Sequence, residues 1–134
     1  MKIVRGNTLE FVPASHEDSQ NPGVLKKVLA THEDLIEGRV QMVNWSHLPV
    51  GSQFQPHYHE DMQEVFVIIN GAVSMTVDDR VVALRGGDAI LIDAREVHQM
   101  KNDSNQNVDY VVFGISTEAG GQTVVVPSGG EVSQ

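Results

Sequence analysis

The chain has 134 residues, of which 40% are hydrophobic and 20% charged, enough for one globular domain with a modest core and too few for two. Its 18 Asp and Glu outnumber 9 Lys and Arg, and the resulting net charge of -9 repels phosphate backbones and anionic lipid, which argues against nucleic-acid and membrane partners. With no cysteine, disulfides, thiolate catalysis and sulfur-ligated metal sites are excluded together, so any metal must be held by His, Asp or Glu.

The N-terminus, MKIVRGNTLE, lacks the apolar stretch of a signal peptide, and the longest apolar run, 65–69, is too short to cross a bilayer. A cytoplasmic location is the expectation. Short runs rich in Val, Ile, Leu and Phe then alternate with Gly, Pro, Asn and Asp, the punctuation of an antiparallel all-β fold. Strands are expected at 24–29, 40–47, 52–59, 64–70, 72–77, 80–84, 89–92, 97–101, 108–115 and 122–126. Asn70-Gly71, Asp78-Asp79 and the GGD at 86–88 favour tight reversals between them. The stretch 31–37 reads either as one helical turn capped by Thr31 or as a plain loop. The end of the chain, PSGGEVSQ, reads as frayed.

The chemistry concentrates in QPHYHEDMQEVFVIING, residues 55–71. His57 and His59, two apart on a strand, point to the same side roughly 7 Å from one another, so both imidazoles can converge on one ion. Glu64 has the wrong parity to join them on an unbroken strand, so residues 60–63 must turn and return it on the next strand. The same parity places Gln53 and Gln55 beside the histidines, and Phe66 and Ile68 beside Glu64. His98 is the best fourth ligand, with Met100 and Asn102 on its face. The expected pocket is thus a ligating floor of His57, His59, Glu64 and His98 under walls of Gln53, Gln55, Phe66, Ile68 and Met100. His16, His32 and His47 read as loop or solvent-exposed residues, and Tyr58 as outward-facing. Three histidines and a carboxylate leave about two open positions on an octahedral divalent ion, which suits iron, manganese, nickel or cobalt better than closed tetrahedral zinc. No nucleophile elbow or phosphate-binding glycine loop is present.

These residues resemble a known family. Gly51, His57, His59, Glu64 and Gly71 reproduce the first motif of the cupin superfamily at every fixed position. Gly87, His98 and Asn102 match the second, with Asp93 and Arg95 where the family has Pro and a second Gly. These two form either a turn-stabilising pair or a substrate contact. The 15 residues between the motifs, 72–86, look like the compact single-domain form. The resemblance implies a jelly-roll barrel, also described as a double-stranded β-helix, with the metal inside on His57, His59, Glu64 and His98. It places the barrel at about 24–116, with an N-terminal arm at 1–23 and a tail at 117–134. It also implies a homodimer, with residues 1–29 as candidates for strand exchange or pairing. The function expected is a divalent-metal-dependent enzyme of dioxygenase, isomerase or decarboxylase type acting on a small polar molecule. The alternative is a non-catalytic module that binds or senses a small ligand.

Overall fold

A computed structural model describes residues 2–35, 39–116 and 122–127. The described residues form eleven strands in chain order: β1 (Val12–Pro13), β2 (Leu25–Thr31), β3 (Val40–Leu48), β4 (His57–His59), β5 (Gln63–Ile68), β6 (Ala72–Val77), β7 (Arg80–Arg85), β8 (Ala89–Ile92), β9 (His98–Lys101), β10 (Val108–Ile115) and β11 (Thr123–Val125). They form two antiparallel sheets, one ordered β1-β2-β3-β10-β5-β8 and the other β11-β4-β9-β6-β7. This is the expected double-stranded β-helix. No helix among the described residues is long and apolar enough to cross a membrane.

Alternation makes the barrel. Along β5 the side chains of Glu64, Phe66 and Ile68 are buried and their neighbours less so, and β10 buries Val108, Tyr110 and Val112 with the same period of two. The inner faces meet in a core that includes Leu48, Ile68, Met75, Ile92, Met100 and Val108. Reversals fall where the sequence puts glycine or an acidic residue: Gly71 adopts φ 82°, Gly87 φ 93° and Asp78 φ 52°. Asn102, fully buried, closes a loop by donating to the carbonyls of Leu48 and Gln106 while accepting from Ser104.

Several expectations are revised. The strand expected at 52–59 is short: Pro56 interrupts it, leaving β4 at His57–His59 and an isolated bridge from Gln53 to Lys101. Glu64 returns not on a hydrogen-bonded neighbour of β4 but on β5 in the facing sheet. Around residue 31 the cap runs the other way, with the Asp34 carboxylate accepting from the Thr31 amide at 3.0 Å; residues 36–38 lie outside the described set, as do 128–134 of the frayed end expected at 127–134. The strand expected at 122–126 is present as Thr123–Val125, within the segment assigned to the tail, and it pairs with β4. The arm packs on its own barrel: β1 pairs with β2, and β2 with β3.

Candidate metal centre

Three elements supply the cluster. β4 presents His57 and His59 on one face, β9 lies beside it with His98 directly opposite His57, and β5 brings Glu64 across from the other sheet. All four residues are buried, and one ligand atom from each lies within 4.8 Å of the others. The His59 Nε2 is 2.8 Å and the His98 Nε2 3.0 Å from the same Glu64 oxygen, Oε1.

The far ring nitrogens fix how these imidazoles are used. His57 Nδ1 donates to the Gln55 carbonyl at 2.7 Å and His98 Nδ1 to the Glu96 carbonyl at 2.9 Å, because a carbonyl oxygen can only accept. In the neutral rings the proton is therefore on Nδ1 and the lone pair on Nε2. At His98 that lone pair faces a carboxylate oxygen at hydrogen-bond distance, an arrangement of two acceptors that a metal cation between them, or a second proton on the ring, satisfies. Ligand atoms bound at about 2.1 Å to one octahedral ion sit about 3.0 Å apart when adjacent and about 4.2 Å when opposite, and the cluster is of this size. The residues fit a divalent metal.

Electrostatics agree. Burial pushes His57 down to about 3, with repulsion from His16 and His98 adding to the effect. Burial acts to raise Glu64, but hydrogen bonds and charge from His59 and His98 outweigh it and hold the carboxylate well below its usual range. A neutral imidazole and an ionised carboxylate are the forms that ligate metal.

His57, His59 and Glu64 form part of the wall of a cavity of about 350 Å³. Phe66 lines it, together with Phe54, Met62 and Val112. Ile68 and Met100 do not; they belong to the core behind it. Gln53 and Gln55 also lie outside this wall and line a separate groove with Glu17 and Gln99. The break at Pro56 is the reason: alternation does not carry back past β4, so Phe54 turns inward, buried, and the two glutamines turn away. Tyr58 is only half-buried, between two buried histidines.

The sequence reading missed His16. It lines the cavity, and its ring stacks on His57 with centroids 4.1 Å apart. Glu17 holds it there, accepting from His16 Nδ1 at 2.8 Å, from the Gly23 amide at 2.7 Å and from the Gln55 amide at 2.7 Å. Nothing in strand parity marks a residue of a loop 41 positions ahead of its partner; the signals were the adjacent His and Glu and the glycine at 23. His32 also reaches the cavity wall, whereas His47 pairs with Asp109 at 2.6 Å away from it. Asp93 and Arg95 do not pair with each other. Asp93 accepts from Gln63, and Arg95 lies near Glu60 at 3.8 Å. Arg95 has φ 70°, so it keeps the left-handed backbone that the motif's glycine would adopt.

Comparison with known proteins places these features in a family. The model of the cupin domain matches residues 44–114. The uncharacterized protein MJ1618 of Methanocaldococcus jannaschii is 27% identical over 105 residues, 78% of this chain and 80% of that protein. Quercetin 2,3-dioxygenase of Bacillus subtilis is 33% identical over 57 residues, 42% of this chain but only 17% of the enzyme. Among solved structures, a predicted oxalate decarboxylase from Thermotoga maritima superposes with a TM-score of 0.76 at 22% identity, covering 86% of this chain and 99% of that one. The matched segment spans more than half of the chain and carries all four clustered residues, and the chain belongs to the cupin family.

Proposed function

We propose that the protein is a divalent-metal-dependent enzyme acting on a small polar molecule, with His57, His59, Glu64 and His98 as metal ligands. One observation carries this reading: three of the four clustered residues are also cavity wall, so a group held by the cluster would face a space large enough for a small substrate. A divalent ion there would supply Lewis acidity and coordination positions for substrate oxygens. Iron, manganese, nickel or cobalt suits three histidines and one carboxylate, with zinc as the alternative.

The chain's own residues do the rest. The Gln55 and Glu96 carbonyls fix the tautomers of His57 and His98. Glu17 and His16 brace the His57 ring from the arm. Phe54, Met62, Phe66 and Val112 keep bulk water from the reacting end of the cavity. Of the chemistries that need a metal-held substrate oxygen, a dioxygenase is placed first, supported by the 33% identity to quercetin 2,3-dioxygenase over 57 residues; isomerase and decarboxylase chemistry follow. A homodimer and a cytoplasmic location complete the reading, and light scattering tests the first.

The test is turnover by metal-reconstituted protein of a panel of small hydroxy and oxo compounds, read by mass spectrometry with an oxygen electrode. Turnover with oxygen uptake, abolished by Glu64→Ala, supports a dioxygenase; turnover without uptake supports an isomerase or decarboxylase. Binding with no turnover by any metal form would make the protein a ligand-binding module.

A further inference from the structure

The cavity has a second polar end, away from the histidine cluster. Lys26 and Lys27 are neighbours on β2 with opposite fates. Lys27 donates to the Gly6 carbonyl at 2.7 Å and lies 4.7 Å over the Phe11 ring. Lys26 lines the cavity and makes no hydrogen bond or ion pair among the described residues. In a chain with a net charge of -9, a cation turned into a cavity with no carboxylate beside it is a group awaiting a counter-charge. Burial lowers its pKa, and no neighbouring charge offsets this.

The strand register places a second unsatisfied group between Lys26 and the cluster. Lys26, Ser46, Tyr110 and Ile68 lie in one row across β2, β3, β10 and β5; Val28, Asn44, Val112 and Phe66 form the next; Met42, Gly114 and Glu64 form the one after. Successive rows are about 7 Å apart. Asn44 occupies the middle row and lines the cavity. It is 7% exposed, and its Oδ1 accepts no hydrogen bond, while its Nδ2 contacts only the Met42 sulfur at 3.6 Å. A buried amide oxygen left without a donor costs stability, and a ligand hydroxyl or amine would satisfy it.

We infer that Lys26 and Asn44 form a recognition site for the far end of the substrate: an acidic group pairs with the Lys26 ammonium and a hydroxyl or amine on the chain donates to Asn44 Oδ1. The substrate class is then a small organic acid whose other, oxygen-bearing end reaches the histidine cluster. This inference rests on the reading of that cluster as a metal centre.

The test compares probes that share a metal-chelating end and differ only at the other. Malate and 2-hydroxyglutarate carry a distal carboxylate; 2-hydroxybutyrate and 2-hydroxyvalerate carry a methyl group in its place. Binding to the metal-loaded protein is followed by calorimetry, with metal content measured on the same samples. At least one diacid is expected to bind tenfold or more tightly than its methyl counterpart, as a desolvated charge-assisted hydrogen bond would give. Lys26→Met should reduce that preference below threefold with metal content unchanged, and Lys26→Arg should retain it. Asn44→Leu should weaken binding of tartrate, whose second hydroxyl is the donor that malate lacks, while leaving the melting temperature equal or higher, the signature of an unsatisfied polar group kept for a ligand. Equal binding of acid and methyl probes by the wild-type protein, or a preference that survives Lys26→Met, would overturn the assignment. Absence of metal from the wild-type protein would instead refute the metal centre.

Discussion

Glu17 joins the arm to the metal-ligating strand, and its removal should be felt in both. Its side chain is 3% exposed and its carboxylate accepts from the Gly23 amide, the Gln55 amide and His16 Nδ1. In Glu17→Ala two backbone N–H groups lose their acceptor, at about 1–3 kcal/mol each. Partial access of water to the loop brings the expected loss to about 3 kcal/mol, which for a domain of this size lowers the melting temperature by roughly 10 °C. The loss is pH-dependent. Burial acts to raise the Glu17 carboxyl, but the three hydrogen bonds outweigh it and hold it below the usual 4.5. A carboxyl depressed in the folded state stabilises above its unfolded pKa, and that contribution disappears as pH falls through the folded value. The gap between wild type and Glu17→Ala, read by circular dichroism melts, should therefore be full at pH 7 and narrow below about pH 4.5. A melting temperature within 2 °C of wild type at pH 7 would refute the latch, for no buried pair of orphaned amides costs so little.

The remaining predictions concern the histidines and the backbone. In metal-free protein, His57 is depressed to about 3 by burial, so the unfolded state binds its proton first; stability should be full above the ordinary 6.5 and fall steadily as pH drops from there toward 3, and His57→Asn should flatten that slope in urea titrations. Arg95→Gly should leave stability within about 0.5 kcal/mol of wild type, since relief of the left-handed backbone offsets a looser unfolded chain, while the β-branched Arg95→Val should cost about 1–2 kcal/mol; equal stability of the two variants would contradict the turn geometry. Gly23→Ala should unfold the arm, because a Cβ there would stand 1.8 Å from the Gln53 carbonyl oxygen, and faster proteolysis ahead of residue 24 would report it.

What the sequence made legible followed from local periodicity. β5 and β10 alternate cleanly, and the pairs Asn70-Gly71 and Asp78-Asp79 mark the reversals from β5 to β6 and from β6 to β7, so strand positions and the barrel's inward faces could be read without tertiary information. The four clustered residues were legible for the same reason, each being an inward residue on a short strand. Parity failed at Pro56, where a single break in the strand turned Phe54 inward and Gln53 and Gln55 outward. It also gave no account of the arm. His16, Lys26 and Asn44 meet the cavity through the docking of β2 on β3 and a buried carboxylate at Glu17, contacts set by packing across long stretches of chain.

The central claim is that His57, His59, Glu64 and His98 hold a divalent metal, and elemental analysis tests it most directly. Protein purified without chelator or a metal-binding tag should carry about one equivalent of iron, manganese, nickel or cobalt per chain, and the His57→Ala, His59→Ala double variant should carry none. Metal absent from both proteins, even after reconstitution under reducing conditions, would contradict the account.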